Sequence, residues 1–424
     1  MKFLKSIFKD SLFKFVTLNS LSVALKIGIG FVTSKCLAVF VGASGMAFVG
    51  NFRNFLSSTE AISTLGLESG IVTYVSENKN NATIFRKVVS TAFFSLLSIC
   101  FLVSLTLYFA SSYFDLKLFE GRLQFQFVIQ ILAVVLPFYI GNIFFVAIIN
   151  GLGNFKKVLY VSIFGSILGL IFSMLLISNF KIQGALLSLI FAPSLLIGFS
   201  FFQLNKQIAI FEIIKFEYFD FSILKNFSSF TLMAMVSSVF GPLVLIAIRT
   251  MIIDKLGLQQ AGFYEAISRI SSYYLLFILS ILSIYFLPKM AQSKSYKDDK
   301  ILTVQYLKGV LPVFGLGLIL VYFARFFIVK TLFTSEFIPT TNLFFWQLIG
   351  DFLKAASFVL AFQFYAKKLT KAFIFFELLS LSIQYFATCF FMEQFQIEGI
   401  VMAHAYTYLI YLVVLCIYFR KSLI

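Results

Sequence analysis

Charge is what this chain has least of. Asp, Glu, Lys and Arg together make up 12% of its 424 residues, where a soluble globular domain carries about 25%. The water-facing surface must therefore be small, and no stretch is polar enough to form a soluble domain that could hold a nucleotide-sugar site. No G-x-x-x-x-G-K-[ST] occurs, so no phosphate-cradling loop for ATP is indicated. Histidine occurs once, as His404 in the last apolar segment; with no neighbouring ligand in the sequence it reads as a packed polar residue rather than a metal ligand or proton relay. The four cysteines, Cys36, Cys100, Cys389 and Cys416, are far apart and form no C-x-x-C. They read as small core residues, and neither a disulfide nor a metal site is expected. No cofactor and no catalytic apparatus are expected, and no external loop exceeds about a dozen residues.

What is there is grease. Hydrophobic residues make up 60% of the chain, 59 of them Phe, and the mean hydropathy is +0.97. A spanning helix needs about 20 apolar residues. Apolar segments fall near 12–34, 43–75, 88–110, 124–149, 158–178, 184–204, 228–252, 262–288, 308–329, 342–366, 372–392 and 398–419. In lipid the backbone finds no hydrogen-bond partners outside itself, so these segments are expected to be helical. The expectation is an all-α membrane protein of about twelve transmembrane helices. Lys2, Lys5, Lys9 and Lys14 are spread through the first segment and no small-residue cleavage site follows, so the start does not read as a cleaved signal.

Basic residues set the orientation. With the N-terminus in the cytoplasm, 22 of the 34 Lys and Arg residues fall in cytoplasmic segments and six (Lys35, Lys117, Arg122, Lys181, Lys255 and Lys330) on the other side. Both termini are therefore expected in the cytoplasm. The net charge of +16 then faces anionic lipid headgroups and gives no sign of nucleic-acid binding.

The two halves repeat at one fixed offset: Gly42 and Phe48 fall on Gly257 and Phe263, Phe180, Ile182 and Gly184 on Phe395, Ile397 and Gly399, and Lys156 on Lys371. Six helices per half is an even number, so the halves have parallel topology, an arrangement secondary transporters use with the substrate between them. The predicted division is 1–205, a cytoplasmic linker over 206–227 that carries mixed charge and no core, and 228–424.

Six cations remain inside the spans: Lys26, Arg53, Arg249, Arg269, Arg325 and Lys354. Five acids join them: Glu60, Glu68, Glu265, Asp351 and Glu377. A charge in hydrocarbon is costly unless paired or wetted, so each is a functional candidate. Glu265–Arg269 at i,i+4 and Asp351–Lys354 at i,i+3 can pair along one helix face, and Arg53 could reach Glu60. Arg325, near a span end, reads as snorkelling to the interface. Lys26 and Arg249 have no acid within one turn and must face another helix's carboxylate or a water-filled cavity. Together Lys26, Arg53, Arg249, Arg269 and Lys354 could form a cationic vestibule suited to an anionic headgroup, because guanidinium and ammonium groups bind phosphate by charge-assisted hydrogen bonds. Pro137, Pro193, Pro242, Pro288 and Pro312 lie in or beside spans and can kink them.

Three stretches carry a family resemblance: LKIGIGFVTSKCLAVFVGASGMAFVGNFRNF (25–55), FTLMAMVSSVFGPLVLIAIRTMI (230–252) and FFWQLIGDFLKAASFV (344–359). They resemble the Wzx-type flippases of the multidrug/oligosaccharidyl-lipid/polysaccharide exporter superfamily. The resemblance implies two six-helix bundles around a central cavity and an undecaprenyl-pyrophosphate-linked oligosaccharide moved to the periplasmic leaflet of the bacterial inner membrane. The family's cavity cations then map onto Lys26 in LKIG, Arg53 in NFRNF, Arg249 in AIRTM and Lys354 in GDFLK. Arg269 and Glu265 depart from the enterobacterial common antigen branch, which handles lipid III. The AT-rich coding that so many Phe residues imply suggests an O-antigen cluster flippase instead. With no ATP site, return of the empty carrier is expected to couple to H+ or Na+, with Glu60, Glu68 or Asp351 as candidate carboxylates. Association with a polysaccharide polymerase and a chain-length regulator is also expected. Two other readings are a multidrug/cation antiporter of the same fold, which would prefer an anionic cavity, and a membrane polymerase or glycosyltransferase.

Overall fold

The computed structural model describes residues 11–121, 125–293 and 295–420. Lys2, Lys5, Lys9, Arg122, Lys294 and Lys421, which enter the charge count, lie outside the described residues. The described chain is helical almost throughout. Its elements are α1 (Ser11–Phe40), α2 (Gly42–Thr64), α3 (Leu67–Asn78), α4 (Ala82–Phe109), α5 (Ser111–Phe119), α6 (Gln126–Gly151) and α7 (Phe155–Asn205), then α8 (Phe221–Leu256). α9 (Leu258–Gln292), α10 (Tyr296–Phe323), α11 (Arg325–Leu332), α12 (Phe344–Ala366) and α13 (Thr370–Tyr418) follow. This is a multi-pass membrane protein.

Among the described residues, nine helices are long and apolar enough to cross a membrane. Two of them account for two crossings each. α7 runs 51 residues and α13 runs 49, each more than twice the length of one span. Each is interrupted at a single residue outside helical geometry, Lys181 (φ 50°, ψ −121°) and Gln396 (φ 51°, ψ −129°). The chain reverses there. A Cβ on Gly184 would meet the Leu176 carbonyl oxygen at 1.8 Å, and one on Gly399 the Phe391 oxygen at 2.1 Å. Residues eight apart in a straight helix are about 12 Å apart, so only a fold-back brings these atoms together and only glycine fits. α2 supplies the remaining crossing: at 23 residues it is long enough, but Arg53 and Glu60 hold its hydropathy down.

The repeat is visible in these details. The same offset that relates the sequence halves relates Lys181 to Gln396, Gly184 to Gly399 and Leu176 to Phe391, the start of α7 to that of α13, and the positive-φ Gly42 to Gly257. The expected span 43–75 divides into α2 and α3, because Leu65 (φ 48°) and Gly66 (φ 63°) leave the helical region. Pro288 and Pro312 each follow a wide five-residue π turn, Leu282–Phe286 and Tyr306–Val310. Such turns absorb the hydrogen bond that proline cannot donate.

The chain forms two compact units. One takes the chain up to Phe40 together with Asn51–Leu243; the other takes Val41–Gly50 with Val244–Ile424. In the first, Phe52, Phe119 and Phe144 are fully buried, and Phe52 stacks on Phe119 at 6.4 Å between centroids. The stretch after α7 is docked on α4 of this unit. Ile210 is fully buried, Ser90 donates to the Ile213 carbonyl at 2.9 Å, the Asp220 amide donates to Thr91 at 2.9 Å, and Lys87 pairs with Asp220 at 3.0 Å. In the second unit, α12 packs along α13, Phe364 is ringed by Phe373, Phe376, Tyr418 and Phe419, and Tyr306 donates to the Ala355 carbonyl at 2.9 Å. Lipid tails are as apolar as the helices, so this packing holds through close contact and satisfied polar groups rather than through escape from water.

Candidate functional site

α8 and α9 place three charges together inside the second unit. Arg249, 1% exposed, donates to Glu265 Oε2 at 2.7 Å, and Arg269 donates from Nε to Glu265 Oε1 at 2.8 Å. Glu265 itself is completely buried. The cross-helix carboxylate that Arg249 requires is thus Glu265, and the i,i+4 pair with Arg269 forms as well. The three carry one net positive charge. Gly50 makes room for them: a Cβ there would lie 2.4 Å from Glu265 Oε2 and 2.9 Å from Arg249 Cζ.

A second cluster centres on Asp351 of α12, also fully buried. Its carboxylate accepts from Ser271 at 2.7 Å and from Tyr274, one turn apart on α9. Gln347, i−4 on its own helix, donates to both oxygens at 3.1 and 3.2 Å. His404 Nε2 on α13 lies 3.0 Å from Oδ1. The approach of His404 depends on Gly350, where a Cβ would be 2.3 Å from the imidazole Cδ2. Gln347, Gly350 and Asp351 all belong to the W-Q-L-x-G-D stretch, so the segment that carries the resemblance also builds this cluster.

Lys354, one turn past Asp351, does not pair with it. Among the described residues it makes no ion pair within 4.0 Å. Its ammonium lies 5.0 Å from the centroid of the Tyr408 ring and 5.9 Å from that of Phe358. The contact pair expected along one helix face does not form, because four other groups already occupy the Asp351 oxygens, and the two charges attract only across a gap.

The first unit holds four of the remaining candidates. Lys26 is exposed on α1 and makes no ion pair among the described residues. Arg53 is half-buried on α2. Glu60, two turns on, accepts from the Tyr139 hydroxyl of α6 at 2.6 Å, and Glu68 is exposed on α3. Arg325, in the second unit, lies over the rings of Tyr322 at 4.3 Å and Phe326 at 4.8 Å and donates to the Tyr322 carbonyl at 2.8 Å.

The sequence reading missed His404, Tyr139, Ser271 and Tyr274 as partners of carboxylates. Two signals were legible: Gln347 at i−4 from Asp351, and Ser271 and Tyr274 sharing one face of α9. The His404 contact was not, because it joins two helices whose contacting residues are far apart in the sequence. Among the described residues no group of three or more His, Cys, Asp or Glu side chains could hold a metal ion.

The family model described as "Polysaccharide biosynthesis protein" matches residues 12–294, about two thirds of the chain. The chain belongs to that family. The chain is 27% identical over 400 residues to the lipid III flippase of Escherichia coli (strain K12), across 93% of this chain and 95% of the relative. The lipid III flippase of Shigella flexneri matches over the same extent. Among solved structures, an inward-facing multidrug resistance MATE family transporter of the MOP superfamily superposes with a TM-score of 0.82 over 94% of each chain at 11% identity. An outward-facing one gives 0.72 over 99% of this chain and 97% of that one, at 12% identity. The family member described here therefore has the MATE-type fold, as its resemblance to the exporter superfamily implied.

Proposed function

We propose that this protein is a flippase that carries an undecaprenyl-pyrophosphate-linked oligosaccharide, an O-antigen repeat unit, from the cytoplasmic to the periplasmic leaflet of the bacterial inner membrane. It is a transporter and not an enzyme, and both termini lie in the cytoplasm. What carries the reading is Lys354: a cation within a span, stacked near aromatic rings, with no ion-pair partner among the described residues. A cation in a span whose neighbouring acid is already held by four other groups is expensive to keep, and an anionic substrate explains why it is kept. End-to-end likeness to lipid III flippases supplies the substrate class, while the Glu265–Arg269 departure speaks against a sugar identical to that of the common antigen.

In this proposal Lys26 and Arg53 of the first half and Lys354 of the second receive the pyrophosphate during alternating access. Arg249 and Arg269 contribute one net charge through Glu265. The empty carrier resets by exchanging a proton at the Asp351–His404 pair, which is faced by Tyr274, Lys354 and Tyr408. H+ is favoured over Na+ because an imidazole nitrogen readily takes a proton and is a poor ligand for a hard cation. Glu60 and Glu68 remain second candidates. The two repeated halves, joined by the 206–227 segment, move substrate for assembly with a polysaccharide polymerase and a chain-length regulator. A multidrug antiporter is disfavoured by the excess of cations inside the spans.

The test replaces Arg53 and Lys354 by Gln, separately, in cells that make the surface polysaccharide. The expected outcome is loss of polysaccharide with normal amounts of folded protein in the membrane. Normal polysaccharide in both variants would remove these cations from the account. A leaflet-accessibility assay in proteoliposomes with the lipid-linked sugar tests the substrate directly.

A further inference from the structure

Between α10 and α12 the second unit carries a groove of about 790 Å³, lined by Pro312, Leu316, Ile319 and Tyr322 on one side and Ile349 and Phe352 on the other. Its floor is open because Gly315 has no side chain; a Cβ there would already stand 3.1 Å from the Phe352 ring. No charged residue lines it. From Pro312 to Tyr322 the wall rises ten residue steps, about 15 Å of helix at 1.5 Å per residue, which is half of a hydrocarbon core about 30 Å thick. Beyond Tyr322 stands Arg325, stacked on that same ring at 4.3 Å. One of its N–H groups is committed to the Tyr322 carbonyl; a guanidinium has five.

An apolar track one leaflet deep with a single cation at its end suits an amphiphile with a greasy chain and an anionic head. The track is one groove between two helices. A phospholipid brings two chains to one headgroup, whereas a polyprenyl pyrophosphate brings one. We propose that this groove holds the prenyl chain of the lipid-linked sugar, with Arg325 at its pyrophosphate, in the leaflet on the α11 side. This rests on the flippase reading, and by the charge count that leaflet is the periplasmic one. The groove would then be where the product rests after transfer. It gives a role to Arg325, which the vestibule cations leave unused.

The experiment photolabels the purified full-length protein with a diazirine-bearing polyprenyl pyrophosphate. Label is expected within 312–323 and 345–353, displaced by undecaprenyl pyrophosphate but not by inorganic pyrophosphate or phosphatidylglycerol. Leu316→Trp and Ile319→Trp, at exposed positions (63% and 53%), fill the groove and should lower groove label about tenfold without changing thermal unfolding. Arg325→Gln should make labelling indifferent to the headgroup. Displacement by phosphatidylglycerol as efficient as by the prenyl lipid would overturn the proposal, since the groove would then hold ordinary lipid. Normal transfer in proteoliposomes with no label in the groove would overturn the groove alone. Label in the groove with no transfer of the lipid-linked sugar would support the groove and sink the flippase reading.

Discussion

Arg249 and Glu265 meet at 2.7 Å between two neighbouring helices, both almost wholly out of contact with solvent. Arg269 takes the other oxygen of the same carboxylate, so one acid holds two cations in place. Removing one partner of a buried ion pair leaves an uncompensated charge, at a cost of about 3–5 kcal/mol. Glu265→Gln should therefore lower the amount of folded protein and its thermal midpoint in detergent. Lys354→Gln, which breaks no ion pair, should leave both unchanged. If the two variants unfold alike, the triad is not what organises this part of the second unit.

The fold-back turns predict a matched pair of outcomes. Lys181 and Gln396 hold a backbone conformation that costs a side-chain-bearing residue about 1–3 kcal/mol. Replacing either by Gly should raise the thermal midpoint. Gly184→Ala and Gly399→Ala should lower it, because overpacking against a carbonyl that cannot move away costs about 1–3 kcal/mol. Opposite signs at such closely spaced positions, in both halves, would be hard to obtain from anything but a tight reversal.

At the Asp351 cluster the expected effect is on both stability and coupling. His404→Ala removes one of the groups held by a buried carboxylate, worth about 1–3 kcal/mol, while Gln347, Ser271 and Tyr274 remain. The variant should fold, and its rate of transfer should lose its dependence on an imposed pH gradient. A pH response identical to that of the parent protein would take His404 out of the coupling step.

Docking of the 206–220 stretch is expected to be insensitive to physiological pH. The hydrogen bonds from Ser222 and Lys87 hold the Asp220 carboxyl down to about 2, against about 3.9 in an unfolded chain. A lowered value means that the stabilisation is fully present above the unfolded figure and is lost only as pH falls through about 2. Hydrogen exchange of these amides, corrected for intrinsic rate, should match at pH 5 and pH 7. Asp220→Ala should instead speed tryptic cleavage after Lys206 and Lys215 at neutral pH.

Much of this architecture was written along the chain. Segment lengths and lipid's lack of hydrogen-bond partners force helices, and they gave the twelve crossings even where the helices themselves run together at Lys181 and Gln396. The matching positions of Gly184 and Gly399 in the two halves are legible because a reversal that tight admits no other residue. Glu265 and Arg269 are legible for the same local reason: an i,i+4 pair on one helix is in contact whatever the rest of the fold does.

Scarcity of charge decided by itself that this is a membrane protein, since too little polar surface exists to face water. It also singled out the few charges inside the spans as worth explaining. What those charges do was left to the tertiary structure. Whether Arg249 met an acid or a cavity depended on which helix packed beside α8, and whether Lys354 touched Asp351 depended on which other donors the fold placed on the Asp351 oxygens. His404 came from a different helix, through the gap left by Gly350. Pairing across helices is set by packing, and packing in lipid depends on where two surfaces can come close, which no single segment records.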